Sequence, residues 1–311
     1  MRFFKDTKID FIGKKKLFFL ISAIIILIGL VSLVIHKGPK YGIDFTGGVS
    51  LEIDLSPVNG TAEPVEIQHV RDILTQAGIK DAEIQEVKGL NDKSYILIKT
   101  KKSTDDGEEI SKKISNILKK EFPNNVDPNS FLRSQQIVGP KIGEELKGKA
   151  ILAIFWSLLG IIIYIWWRFE FAYGLAAIAA LFHDVIITVG IFSIFGKEIT
   201  LPVIAALLTI VGYSLNDTIV VFDRIREDLK LYRKDSYANV INKSINQTLS
   251  RTIITSLTTF VVVLSLFLFG GSVINDFALA LLIGVVIGTY SSVYIASPIM
   301  VSHFEKRKRR K

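Results

Sequence analysis

Six apolar runs constrain this sequence more than any other feature in it. Residues 17–35, 150–167, 172–195, 201–222, 252–269 and 277–303 each come close to the roughly 20 residues a helix needs to cross a bilayer core. Inside hydrocarbon every backbone polar group must be satisfied within its own segment, so such runs fold as spanning helices. The 49% hydrophobic composition and the mean hydropathy of +0.39 fit a membrane protein and argue against one soluble core. No small-residue cleavage site follows the first run, so 17–36 is expected to remain as an anchor in the lipid bilayer.

The net charge of +8 raises nucleic acid as a partner, but the placement of the charge argues against it. Residues 37–149 hold 17 Lys/Arg against 18 Asp/Glu, and the excess of basic residues lies beside the spans. Arg2, Lys5, Lys8 and Lys14–Lys16 precede the first run, a basic stretch covers 224–251, and Lys306–Lys311 end the chain. Between the other spans, 196–200 and 270–276 carry Lys197 as their one basic residue. By the positive-inside rule both termini (1–16 and 304–311) and the loop 224–251 are cytoplasmic, and 37–149 is extracytoplasmic. A tail that binds RNA or ribosomes is the alternative to a topology signal. The absence of cysteine excludes disulfides and thiolate metal sites.

The inserted stretch reads as an α+β domain. Val49, Leu51, Ile53 and Leu55 alternate with polar residues as a half-buried strand does, and Ile67, Val70, Leu74 and Ala77 follow at helical spacing. Two further strands are expected at 82–87 and 95–100 around a turn at 89–92. A helix carrying Ile110, Ile114, Ile117 and Leu118 and a last strand at 131–138 follow. The order β-α-β-β-α-β is that of a ferredoxin-like domain. No convergent His, Ser or carboxylate set stands out in it, so contact with another protein is the expected task and an enzyme is not. Gly143, Gly148 and Lys149 have the spacing of a phosphate-binding loop, but Ala150 replaces the hydroxyl that would hold magnesium, and no nucleotide is expected.

Polar groups within the spans carry the remaining signal. A carboxylate at a span centre costs about 2.5–3.5 kcal/mol on insertion scales, so it needs a partner, a proton or a wet cavity. Asp184 stands mid-span beside His183, with Thr188 one turn on. The fourth span carries Thr209, Tyr213 and Asp217 at helical spacing, with Asn216 adjacent, and the fifth opens at Arg251 and continues with Thr255, Thr258 and Thr259. These are candidate walls of a proton path. The structural alternatives are a snorkelling Arg251, a permanently paired Asp217, and an Asp184 bonded to His183 or Thr188 for helix packing. Asp223 is expected at the interface. Ala280, Gly284, Gly288, Ser292 and Ala296 recur every fourth position, a small ridge that lets another helix approach closely.

Five segments carry a resemblance: YGIDFTGG at 41–48, VGPKIG at 138–143, FHDVIIT at 182–188, VGYSLNDTIVVFDRIR at 211–226 and QTLSRTIITS at 247–256. Through them the chain resembles, over nearly its whole length, the SecF family of the bacterial SecD/SecF export complex. The resemblance implies a six-helix half-transporter bundle of the resistance-nodulation-division type in the inner membrane, paired with SecD. It implies work beside a SecYEG-type channel on unfolded preprotein late in export, with protons as the coupling ion and no ATP or other cofactor. It places Asp217 and Arg251 in the proton pathway, with a further pathway acid on SecD. The glycines of YGIDFTGG are read as turn formers. A proton-driven exporter of small molecules or lipids and a non-conducting scaffold remain the alternative functions.

Overall fold

The computed structural model describes residues 7–58, 65–88, 94–101, 107–128 and 130–309. The turn expected at 89–92, the residues Arg2 and Lys5, and the last two residues of the basic tail lie outside these. In chain order the elements begin with α1 (Lys15–Ile35), a one-turn α2 (Ile43–Thr46), β1 (Gly48–Asp54), α3 (Ile67–Gln76) and β2 (Ala82–Lys88). Next come β3 (Ser94–Lys101), α4 (Gly107–Glu121) and β4 (Leu132–Val138). The long helices α5 (Pro140–Arg168), α6 (Phe171–Ile194), α7 (Leu201–Leu231) and α8 (Tyr237–Phe269) precede α9 (Ser272–Ser291) and α10 (Ser297–Arg309). The chain divides into two compact units, Tyr41–Leu152 and the remainder.

In the Tyr41–Leu152 unit, four antiparallel strands lie in the order β2-β3-β1-β4. Register pairs Leu51 with Ile98 and Ile53 with Ile96, and on the other side β1 meets β4 with one irregularity between Glu52 and Ile53. The alternation read from the sequence sets the buried face: Val49, Leu51, Ile53 and Leu55 pack with Val70 and Leu74 of α3 and Ile114 and Leu118 of α4. Each such fully buried side chain contributes about 1.5–3 kcal/mol. Gly47 and Gly48 take φ of 72° and 145°, values that disfavour any residue with a Cβ. A Cβ on Gly47 would lie 2.9 Å from the Pro140 Cα, and one on Gly48 would overlap the Thr100 carbonyl. Gly143 lies equally close to Gly47 and Phe45. The phosphate-loop spacing thus falls inside α5, where helical backbone bonds leave no cradle, and Lys149 pairs with Glu145 at 2.7 Å.

Among the described residues, six helices are long and apolar enough to cross a membrane. Two boundaries differ from the sequence reading. The second span's helix starts earlier than the apolar run does: 140–149, inside the Tyr41–Leu152 unit, is already helical, since Pro140 stands at the first helical position, where its missing N–H costs nothing. The expected loop 224–251 is instead a helical hairpin. Helix α7 runs on to Leu231 and α8 starts at Tyr237, where the Ser236 hydroxyl accepts from the Asn239 N–H at 3.2 Å. With 31 and 33 residues, these helices are about 47 and 50 Å long, beyond the roughly 30 Å of a bilayer core. Their ends bury Ile225, Val240, Ile241 and Ile245. Residues 9–12 lie along this extension, bonded through backbone groups to the side chains of Asn242 and Asn246, one turn apart.

Between helices the packing rests on small residues. Gly284 and Gly288 of α9 sit against Ile210 and Ser214 of α7, so this part of the small-residue ridge packs within this chain. A crossing that the sequence reading did not anticipate joins Gly29 of α1 to Gly190 of α6, where an added Cβ would lie 2.9 Å from the facing Cα. One turn on, the hydroxyls of Ser32 and Ser193 meet at 2.8 Å. The last span is also not one regular helix: residues Ser292–Ala296 form a π-turn, and the Ser297 hydroxyl returns to the Ser292 carbonyl at 2.9 Å.

Candidate functional site

The close seat of α9 on α7 sets the site. With Gly288 against Ser214, hydroxyls from both helices reach one carboxylate on α6. Asp184 is 1% exposed, and its Oδ2 accepts Ser214 Oγ at 2.5 Å and Ser291 Oγ at 2.8 Å. Its Oδ1 lies 2.9 Å from His183 Nδ1. The other imidazole nitrogen reaches Ser22 Oγ of α1 at 3.0 Å, and Ser22 meets the Tyr290 hydroxyl at 2.8 Å. Tyr290 in turn donates to the Phe18 carbonyl at 2.8 Å. Thr188, the other partner expected for Asp184, bonds the backbone carbonyl of residue 184 and not its carboxylate. One buried network therefore joins α1, α6, α7 and α9.

Asp217 lies one turn past Ser214 on α7 and is 3% exposed. Its Oδ2 accepts Ser256 Oγ of α8 at 3.3 Å, and Ser256 accepts Thr289 Oγ1 of α9 at 2.6 Å. Helix α9 thus serves both carboxylates, through Ser291 and Thr289. The two acids differ in support: Asp184 has two short hydroxyl bonds and an imidazole, whereas Asp217 has one long hydroxyl bond. Nearby, the Tyr213 hydroxyl and the Thr218 and Thr252 Oγ1 atoms are buried and have no hydrogen-bond partner among the described residues.

Other residues named from the sequence fall elsewhere. Arg251 is exposed on this chain and forms no ion pair among the described residues, so it does not meet Asp217 directly. Thr255 returns its hydroxyl to the carbonyls of Arg251 and Thr252, and Thr209 does the same to Ala205. Asn216 is exposed, on a stripe of α7 shared with Ala205, Thr209 and Gly212. Asp223 accepts from one Arg168 guanidinium nitrogen at 2.6 and 2.8 Å, next in sequence to the exposed Trp166 and Trp167. Sequence reasoning missed Ser22, Ser214, Ser256, Thr289, Tyr290 and Ser291. The available signal was weak, since a hydroxyl within a span most often bonds its own helix.

Among the described residues, six spanning-length helices, the mid-span carboxylates Asp184 and Asp217 held by hydroxyls from neighbouring helices, and an inserted α/β unit define a multi-pass membrane protein. Residues 118–306 match the family "Protein export membrane protein SecD/SecF, C-terminal", and 32–57 match the "SecD/SecF GG Motif". The chain is 47% identical over 299 residues to a Protein translocase subunit SecF of Thermodesulfovibrio yellowstonii, covering 95% of this chain and 94% of the relative. It is 45% identical to that of Calditerrivibrio nitroreducens, covering 98% and 97%. The crystal structure of SecDF from Thermus thermophilus superposes with a TM-score of 0.80 at 38% identity, over 96% of this chain. This chain spans 39% of that longer one, which joins both names in a single polypeptide. The chain belongs to the SecD/SecF family, among the proteins named SecF.

Proposed function

We propose that this chain is an accessory subunit of the Sec protein translocase that works with SecD and uses the proton-motive force to promote late export of preproteins across the bacterial inner membrane. The observation that carries this reading is Asp217, a buried intramembrane carboxylate with a single hydroxyl bond, in a chain that aligns along nearly its whole length with SecF proteins. Asp217 takes up and releases the proton. The unbonded hydroxyls of Tyr213, Thr218 and Thr252 supply donors and acceptors that a wet proton path uses. Arg251 and Asn216 face outward from this chain, next to small residues that lipid contacts poorly, so the SecD half completes the route there.

On the same reading, both termini and the helical hairpin around 232–236 are cytoplasmic and residues 37–149 are extracytoplasmic, as the basic flanks suggest. The element order and the strand order β2-β3-β1-β4 support a ferredoxin-like assignment for the inserted domain. That domain contacts the emerging unfolded polypeptide, and the channel partner is of the SecYEG type. One elementary charge crossing 100 mV is worth about 2.3 kcal/mol, enough to bias a domain rearrangement of a few kcal/mol.

The test compares vesicles that hold a SecYEG-type channel and SecD, with and without this chain, for export of a secreted protein before and after an ionophore collapses the proton gradient. The chain is expected to raise the rate only while the gradient stands. A stimulation that survives the ionophore, and disappears only when 37–149 is deleted, contradicts proton coupling and supports the scaffold.

A further inference from the structure

We infer that His183 and Asp184 form a second proton-holding site, with one proton shared between Nδ1 and Oδ1, that ties α1 to α6, α7 and α9. The donors along the network fix where the protons sit. The Phe18 carbonyl can only accept, so the single hydroxyl proton of Tyr290 points at it. The Tyr290 oxygen must then accept from Ser22, which uses the only proton Ser22 has. Ser22 is left as acceptor toward His183, so Nε2 carries a proton.

At the other ring nitrogen, 2.9 Å separate Nδ1 from Asp184 Oδ1. Two lone pairs do not sit at that distance, so one proton lies between them, on nitrogen as an imidazolium facing a carboxylate, or on oxygen as an acid facing a neutral ring. Either way the pair carries no net charge, which suits its burial. Two hydroxyls aimed at Oδ2 favour the carboxylate form, so the shared proton rests on Nδ1 and the ring is an imidazolium facing Asp184. The titratable groups facing the pair are Tyr290 on α9, whose ring stacks on His183, and Asp217, one turn beyond Ser214 on α7. Helix α1 presents only the Ser22 hydroxyl and the Phe18 carbonyl, and no Lys or Arg among the described residues bonds to the pair.

Loss of the shared proton would set Nδ1 and Oδ1 against each other and open the α1 tie. A second proton would place two N–H or O–H groups head to head or displace a serine. The site therefore holds one proton in the closed arrangement and releases α1 in either other state. Helix α1 leads directly into the inserted unit, so such a release is a means of passing a proton event along the chain. This last link rests on the proposed export function, whereas the proton placement does not.

Nitrogen-15 NMR tests the assignment, using this chain labelled at its four histidines and reconstituted in bilayers at pH 7 with unlabelled SecD. His183→Gln identifies the signal. The expected wild-type spectrum has a protonated Nε2 and an Nδ1 shifted toward imidazolium by the shared proton. In Asp184→Asn the Nδ1 signal should move to that of a bare nitrogen. A wild-type Nδ1 already bare, or a ring protonated on Nδ1 alone, overturns the inference, and the wild-type spectrum decides even if the variant assembles poorly. A shared proton together with unimpaired export in Asp217→Asn supports this site while removing the export reading. A bare Nδ1 with export lost in Asp217→Asn does the reverse.

Discussion

Asp217→Asn is expected to lower proton-driven export to the level seen with the gradient collapsed while leaving the complex assembled. Asparagine keeps the shape of the side chain and can still accept from Ser256, whose hydroxyl is the carboxylate's one partner among the described residues. Packing against α8 and α9 is thereby kept, and what disappears is the ability to take and give a proton. The size of the loss follows from the driving force. About 2.3 kcal/mol per charge per 100 mV corresponds to roughly a fiftyfold effect on a rate for each coupled proton. Export driven without the gradient should be unchanged. Asp217→Glu, which retains the acid on a longer arm, should recover part of the coupling, whereas a purely structural role would make glutamate worse than asparagine.

Asp184→Leu should have the largest effect on stability. It leaves Ser214 and Ser291 without their acceptor and His183 without the partner for its Nδ1, all within a buried layer. Removing one member of a buried, hydrogen-bonded charged pair costs about 3–5 kcal/mol. Thermal denaturation in detergent should show a much lower midpoint, or no folded protein. Asp184→Asn should be milder, because its amide oxygen still accepts from both serines. If leucine were tolerated as well as asparagine, the network would have no structural weight. The two acids thus differ: a substitution at Asp184 is expected to unfold, and one at Asp217 to uncouple.

Much of the fold could be read directly from residue order. The alternation at Val49–Leu51–Ile53–Leu55 identified the inward face of β1 because a strand's side-chain period is two. The spans were legible from length alone. The hairpin at 224–251 was not, because charge density that marks a loop between spans also suits a helix that continues into water, where its apolar stripe finds partners in α6 and the N-terminal segment. The π-turn at Ser292–Ala296 left no mark in a run of otherwise good spanning residues.

At the site, both acids were legible because a carboxylate in hydrocarbon is conspicuous by its cost. Their partners were not. Ser22, Ser214 and Ser291 come from three helices separated by nearly the whole chain, and nothing local distinguishes them from Thr255 or Thr209, whose hydroxyls merely return to their own helix. Arg251 and Asp217, both placed in the proton pathway by the family resemblance, make no direct contact among the described residues. A residue that is exposed here has its partner, on the proposed reading, in the SecD half.

On the proposed reading, Asp217 changes protonation as the gradient works. Infrared difference spectroscopy on reconstituted vesicles with SecD, before and after a proton gradient is imposed, reads this directly. The account predicts a carboxylic-acid carbonyl band that appears or disappears with the gradient in the wild type and is missing from Asp217→Asn. An Asp217 that stays ionised throughout, with export still responding to the gradient, would contradict it.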